Sequence, residues 1–256
     1  MAIMIDAITS DQPSAYAPFT VSNDLLSNPP ALRRRLAKEG YLFFKQVGPR
    51  EALLRARRDV LELCAQTGWV DPKADLMEGR WSGAGPYTEG DAEYMNVYKH
   101  IIKLPSFLAI PEDPAFMQVM EKVVNAAPML HRLRIGRVTF PNNVAQSTAA
   151  HQDWTYIHGT PDTYTVWTPL GDCPRDLGGL AVLAGSQKFG LIEHRRHPEK
   201  RYAGLGLDDD QLQLLGTHWV ASDFAVGDFL LFHSHTVHKA LPNITPDRLR
   251  LSTDSR

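Results

Sequence analysis

Cysteine is scarce: Cys64 and Cys173 are the only two in 256 residues. That is too few for a disulfide framework and short of the four ligands of a structural zinc site. A reducing compartment is therefore expected. No apolar run approaches the roughly 18 residues of a membrane span, and the N-terminus lacks the basic region and apolar segment of a secretory signal. The expectation is a cytoplasmic protein with no membrane partner. An excess of one charge is also missing, since 27 Lys and Arg stand against 29 Asp and Glu. Arg33-Arg34-Arg35 is too short to make a phosphate-binding surface, so nucleic acid is not an expected partner. Gly204-Leu205-Gly206 lacks the remaining glycine of a dinucleotide fingerprint, and neither a P-loop nor an internal repeat is present.

What remains is a globular composition, 43% hydrophobic and 22% charged, in a length that suits one large β-sandwich or barrel with helical additions. Residues 1–28 mix Pro, Ser, Asp and Thr around short apolar pieces and read as an extended arm. Pro29-Pro30 open a helix that Gly40 stops, and Tyr41-Leu42-Phe43-Phe44 follows as a buried strand. A second, amphipathic helix is expected from about Pro49 to Thr67. Residues 70–98, rich in Gly, acids and aromatics, read as a long loop of the lid type, and a further helix should span Asp113 to about Ala126. From Met129 the pattern turns to short β-prone runs, at 133–140, 164–170, 180–183, 218–220, 229–232 and 249–253. Helices first and strands afterwards predict a mostly β fold with N-terminal helices, its core a double-stranded β-helix of the jelly-roll, cupin-like kind. The expected organisation is one domain over 1–256: the arm at 1–28, a helical layer and lid loop at 29–128, and the jelly roll at 129–256.

His151-Gln152-Asp153 places an imidazole and a carboxylate two residues apart, on one face if the segment is an extended strand. A third ligand from a distant strand would complete the two-His, one-carboxylate set that leaves one side of Fe(II) open to a co-substrate and O₂. The pair alone is a weak signal, because with ten histidines roughly one His-x-Asp is expected by chance. His197-Pro198-Glu199 competes with it but sits in the charged stretch Glu193-His194-Arg195-Arg196-His197, which reads as exposed loop. Downstream, Gly227-Asp228 marks a turn, Phe229 to Phe232 an apolar strand, and His233, His235 and His238 follow as candidate third ligands.

In this order the features resemble the phytanoyl-CoA dioxygenase family of 2-oxoglutarate-dependent oxygenases. The family pattern is a His-x-Asp pair, a strand with Trp, a Gly-rich Val-Leu-Pro-Gly-Ser-His segment, Gly-Asp, a strand, the distal His, and an Arg about ten residues on. Trp167 matches the Trp, and residues 178–187 match the Gly-rich segment, with Ala184 and Gln187 where the family has Pro and His. The resemblance covers roughly residues 130–256. It implies that His151, Asp153 and His238 hold Fe(II), with Gly227-Asp228 placing the distal ligand on His238 instead of His233 or His235. It further implies that Arg248 binds the distal carboxylate of 2-oxoglutarate; strand alternation gives Arg250 the same face as Arg248 and Ser252, so the two arginines can exchange that role. Ser252 and Thr148 are expected to hydrogen-bond the co-substrate and Trp167 to lie beside it. His158, Tyr156 and His235 are candidates for substrate contact, with Trp154 and the Trp81 to Tyr94 loop shaping the pocket.

The activity implied is that of an Fe(II)/2-oxoglutarate-dependent dioxygenase of secondary metabolism. It would use O₂ to oxidise a small organic metabolite and release succinate and CO₂, by hydroxylation first, or by desaturation or cyclisation. Halogenation is disfavoured, because halogenating members of the family have a small residue where Asp153 stands. Two rivals are a cupin-type metal enzyme that does not use 2-oxoglutarate and a non-catalytic β-sandwich binding module, for which Phe19 and Leu25 would be partner contacts. The sequence stops at Arg256, a few residues past the expected last strand, so further C-terminal residues are expected. Substrate identity and oligomeric state are not legible at this level.

Overall fold

The computed structural model describes residues 16–142, 147–196 and 204–256. Its first half contains α1 (Pro29–Glu39), β1 (Tyr41–Phe44), α2 (Arg50–Gln66), α3 (Ala92–Ile101), α4 (Pro105–Ala109) and α5 (Pro114–Val124). The second half contains β2 (Ile135–Thr139), α6 (Trp154–Ile157), β3 (Tyr164–Pro169), β4 (Leu180–Leu183), β5 (Arg195–Arg196) and β6 (Leu205–Gly206). It closes with α7 (Asp209–Leu215), β7 (Trp219–Val220), β8 (Phe229–His233), β9 (His238–Ala240) and β10 (Arg250–Ser255). No described helix is long and apolar enough to cross a membrane.

Two antiparallel sheets carry the core. The larger has the order β1-β8-β3-β10-β2, and the smaller β7-β4-β9, with an antiparallel bridge between His151 and His238 extending the β9 edge. Together they form the double-stranded β-helix expected from the sequence. Strand alternation divides the larger sheet's side chains between two cores. Leu42, Phe44, Val138, Val166, Phe229, Leu231 and Leu251 pack with the helices, against residues such as Leu53, Val60, Phe107 and Phe116. Their neighbours Tyr41, Phe43, Trp167, Leu230 and Phe232 pack with Leu180, Val182, Val220 and Ala240 of the smaller sheet. Because both faces are covered, β1 and β8 read as unbroken apolar runs. Their register, Tyr41↔Phe232 to Phe44↔Phe229, pairs residues of the same core. Each such buried side chain contributes roughly 1.5–3 kcal/mol, so a one-residue slip is strongly disfavoured.

One tight contact between the helical layer and the sheets lies at the end of α1. α1 begins where the Asn28 side chain accepts from the Ala31 N–H, runs through Pro29 and Pro30, and ends at Gly40 in the left-handed region, φ 79°. A side chain there is strained by the backbone angle and would displace its neighbours, since a Cβ would stand 2.3 Å from Gln187 Oε1 and 2.9 Å from Thr236 Oγ1. The Gly40 carbonyl accepts from Thr236 Oγ1 at 2.8 Å and from the His233 N–H at 3.0 Å, which fixes the turn leading to His238.

Two expectations are corrected, and several short elements are added. The loop assigned to 70–98 gives way to α3 at Ala92, where Tyr94, Val97 and Ile101 bury one helical face behind Asp91 and Glu93; the glycines and acids before residue 91 obscure that spacing. The described part of the arm is structural: Ala17 bridges Val220, Val21 bridges Phe43, and Phe19 lies between the sheets against Tyr41, Phe43 and Phe224. Phe19 is therefore core and not a partner contact, and Leu25 packs against the helical core. Finally, α4, α6, α7, β5, β6 and β9 are too short to leave a periodic signal.

Gly136 of β2 passes close under α3 and α4, where a Cβ would lie 2.9 Å from Ile101 Cγ2 and 3.1 Å from the Phe107 ring. Gly136→Ala is expected to lose about 1–3 kcal/mol in chemical denaturation through overpacking. An unchanged midpoint would show that β2 and the helices are not packed this tightly.

Candidate active site

Alternation along the larger sheet sends Arg137 of β2, Thr165 and Trp167 of β3, Phe232 of β8, and Arg250 and Asp254 of β10 to the face opposite the helices. With Thr148, His151, Asp153, Leu180, His238 and Ala240 they line one cavity. His151 and His238 meet there across their bridge, each N–H 3.0 Å from the other's carbonyl, with ring centroids 4.3 Å apart. The His-x-Asp pair does not lie on a continuing strand as expected. After His151 the chain turns, and Asp153 takes helical angles, φ −59° and ψ −34°, at the start of α6; the turn brings its carboxylate back beside the imidazole.

Nε2 of His151 and Nε2 of His238 lie 3.7 and 3.8 Å from Asp153 Oδ1, too far for hydrogen bonds. Nδ1 of His151 lies 2.8 Å from the Ala149 carbonyl, and Nδ1 of His238 lies 3.0 Å from the Thr236 carbonyl. A carbonyl only accepts, so each Nδ1 carries a ring proton, which in the neutral ring leaves the Nε2 lone pair facing Asp153. Three buried acceptors within 4.8 Å of one another, with no proton between them, fit a divalent cation. Among the described residues this is the only group of three or more His, Cys, Asp or Glu side chains with that geometry.

Burial pushes the Asp153 carboxyl up, but the Arg256 guanidinium and the two imidazoles outweigh it and hold the group well below the usual carboxylate range. Arg256 Nη2 lies 3.0 Å from both carboxylate oxygens, and Thr165 Oγ1 donates to Oδ2. For His238, burial and then the neighbouring His151 ring push the imidazole down to about 3, against the opposing pull of Asp153. His238 is thus neutral at ordinary pH.

The arginine expected to hold the co-substrate is corrected. Arg248 lies before β10 begins, bridges Arg80 through its backbone and is exposed, so the alternation that would turn it inward does not reach it. Arg250 opens the strand and is 2% exposed. It donates to Ser252 Oγ at 2.6 Å and to Thr139 Oγ1 at 2.7 Å and lies 5.9 Å from the Trp167 ring centre. Its Nε has no partner, and no carboxylate pairs with it among the described residues. Burial lowers its proton affinity, as expected for a cation without an anion.

The other expected residues divide. Thr148 and Trp167 line the cavity, Ser252 touches it through Arg250, and the Tyr156 ring stands 5.5 Å from that of His151 while its hydroxyl donates to the Leu205 carbonyl. His158 and His235 are not brought into the cavity; both rings pack on Trp154, at 5.3 and 6.0 Å, because His158 follows the end of α6 at φ 57° and His235 sits in the turn before β9. Trp81 and Tyr87 pack on Phe140, and Tyr87 also on Trp69, on the helical side. From that loop Glu89 reaches the cavity side, 2.8 Å from Arg137. His197-Pro198-Glu199 lies outside the described residues.

Two positioning groups escaped the sequence reading. Gln152, fully buried between His151 and Asp153, donates to the Gly190 and His235 carbonyls at 2.7 Å and accepts from the Ile192 N–H at 2.8 Å. His194, expected in an exposed loop, accepts from the Gln152 N–H at 2.8 Å. No spacing in the sequence singles out either. Arg256 and Arg137 were detectable, since alternation aligns Arg256 with Arg250 and Arg137 with the opposite strand's inward face.

Comparison with known proteins gives the following. Residues 36–251 match the sequence profile of the family described as phytanoyl-CoA dioxygenase (PhyH). A relative from Streptomyces exfoliatus, 1-deoxypentalenic acid 11-beta-hydroxylase, is 27% identical over 246 residues, covering 91% of this chain and 82% of the relative. The crystal structure of SnoN, a non-heme alpha ketoglutarate dependent epimerase from nogalamycin biosynthesis, has a TM-score of 0.60 at 21% identity, over 90% of this chain and 82% of that one. EvdO2 from Micromonospora carbonacea var. aurantiaca, solved with 2-oxoglutarate, has a TM-score of 0.58 at 19% identity, over 94% and 92% of the two chains. At these identities the solved structures share the fold.

The depressed groups predict acid sensitivity of the metal-free protein. As pH falls below the ordinary imidazole value of 6.5 towards about 3, the unfolded chain takes up a proton at His238 that the folded chain refuses, and at lower pH the same holds for Asp153. Stability is therefore present above about pH 6.5 and is lost on acidification. The melting temperature of the metal-free protein should fall steadily from about pH 7 to about pH 4, less steeply in His238→Gln; a flat profile would contradict these assignments.

Proposed function

The chain belongs to the phytanoyl-CoA dioxygenase family, and from that premise we propose that it is an Fe(II)/2-oxoglutarate-dependent dioxygenase. It oxidises a small organic metabolite, by hydroxylation in the first place, with succinate and CO₂ released. Arg250 is the observation that carries this beyond a bare metal site. A buried guanidinium without a carboxylate partner, in the cavity that holds three converging acceptors, calls for a ligand with an anionic end and a chelating end. 2-Oxoglutarate has both.

His151, Asp153 and His238 hold the metal, and when bound Fe(II) supplies O₂ activation coupled to 2-oxoglutarate decarboxylation. Arg250, oriented by Ser252 and Thr139, takes the distal carboxylate through its free edge, with Trp167 as a wall and Thr148 on the facing side. Phe232, 4.4 Å from the His238 ring, keeps water from the metal ligands. Charge supports the pairing of these ligands. On the cavity side Arg137, Arg250 and Arg256 balance Glu89, Asp153 and Asp254, so a dication and a dianion arriving together leave the sum unchanged.

The hydroxylase named for the Streptomyces relative supports hydroxylation of a small metabolite, and the shared core of helices and larger sheet supports reading residues 1–256 as one oxygenase domain. A cupin-type metal enzyme without 2-oxoglutarate would leave Arg250 unexplained, and a non-catalytic binding module would leave the three facing lone pairs unexplained.

The test is anaerobic loading with Fe(II) and 2-oxoglutarate, then O₂ and a panel of small metabolites, reading succinate and product mass. Substrate-dependent succinate with gain of one oxygen is expected. Asp153→Ala should abolish it. Arg250→Ala should raise the KM for 2-oxoglutarate about 100-fold, the size of loss when a buried charge pair is truncated, while Arg248→Ala should change it less than about threefold. Near-normal succinate in Asp153→Ala, or the larger loss in Arg248→Ala, would refute the proposal.

A further inference from the structure

Asp153 is bound more tightly from behind than from the front. Its Oδ2 accepts from Thr165 Oγ1 and from Arg256 Nη2, which occupies both lone-pair directions of that oxygen. Its Oδ1 accepts from Arg256 Nη2 alone, at 3.0 Å, and keeps one lone pair facing the two Nε2 atoms. Both donors are buried: the Arg256 side chain is 3% exposed and Thr165 2%. The Arg256 backbone is fixed too, since its carbonyl accepts from the His131 N–H at 2.7 Å.

Arg256 has little else to do with its charge. Nε and Nη1 have no hydrogen-bond partner, and the other nearby carboxylate, Asp254, stands 3.9 Å from Nη2. β10 places Arg250, Ser252 and Asp254 on the cavity face, and Arg256 continues that parity. One strand thus presents one guanidinium with no carboxylate partner and another committed to a metal-ligand carboxylate.

We propose that Arg256 and Thr165 are positioning residues that make Asp153 a one-oxygen ligand, with Oδ1 forward and Oδ2 held back. This role rests on the iron and 2-oxoglutarate chemistry proposed above. A carboxylate free to rotate can offer both oxygens to one cation and fill a position that the bidentate co-substrate needs. Locking Oδ2 keeps that position open. Simple charge compensation of a buried Asp153 requires only a cation nearby, whereas holding the carboxylate plane requires a donor that reaches both oxygens and a second donor on Oδ2.

The two roles are separated by an anaerobic titration, first of the apoprotein with Fe(II) and then of the ferrous protein with 2-oxoglutarate, followed by visible charge-transfer absorption. Thr165→Val keeps the ion pair and the shape of the side chain, and Arg256→Lys keeps the charge on a shorter side chain that does not place a nitrogen at the Nη2 position between the two oxygens. Both variants are expected to bind one Fe(II), to bind 2-oxoglutarate about 10- to 100-fold more weakly than the wild type, and to show a shifted absorption band. Melting temperatures of the metal-free variants report folding separately; if Arg256→Lys does not fold, Thr165→Val decides. Wild-type 2-oxoglutarate affinity and an unshifted band in Thr165→Val would overturn the positioning role while leaving the iron chemistry standing. A wild-type protein that binds no Fe(II) would overturn both.

Discussion

Three buried acceptors pointing at one another without a proton to share are costly in a folded protein, and the structure of this chain is organised around keeping them so. The ring protons of His151 and His238 are spent on backbone carbonyls, and Asp153 is kept ionised by a buried arginine. These partners offset part of the cost, and a bound cation would offset the rest. The bridge between His151 and His238 is therefore more than an extension of the smaller sheet: it sets two imidazoles side by side at a fixed spacing, and the turn after His151 swings the carboxylate to meet them.

The larger sheet supplies the opposite charge. Its strict alternation gives one face to a continuous apolar contact with the helices and the other to the cavity, so β10 can bury Leu251 on one side while holding Arg250, Ser252 and Asp254 on the other. That division explains why a strand with five polar or charged residues nonetheless lies inside the sheet. Gly40 belongs to the same design at a distance. Without a side chain there, α1 closes down on the turn before His238, and the helical layer braces the distal half of the site.

Much of this was legible in the residues. Unbroken apolar runs marked β1 and β8 because those strands are covered on both faces, and Pro29-Pro30 with Gly40 bracketed α1 almost to the residue. The family resemblance, carried by His151, Asp153, Gly227-Asp228 and His238, picked out three side chains, His151, Asp153 and His238, that the structure brings into one cluster. The exchange of Arg248 for Arg250 shows where such reasoning ends: parity says which residues share a face but not where a strand starts, and β10 starts two residues later than Arg248. Gln152 and His194 were illegible for a different reason. Their partners are backbone groups of residues 190–192 and 235, or the backbone between the ligands, and no pattern along the chain foretells such a loop-to-loop contact. The helix at Ala92 was hidden by composition, since its apolar face begins directly after a segment of turn-forming residues.

The most direct test of this arrangement is calorimetric titration of the metal-free protein with Fe(II) under anaerobic conditions near pH 7, repeated in two buffers of different ionisation enthalpy to count protons. If the two Nε2 lone pairs and the Asp153 carboxylate stand ready as described, one Fe(II) binds per chain and essentially no proton is released. Release of about one proton or more per metal bound, or the absence of stoichiometric binding, would mean that the three groups are not the open acceptors on which everything else here depends.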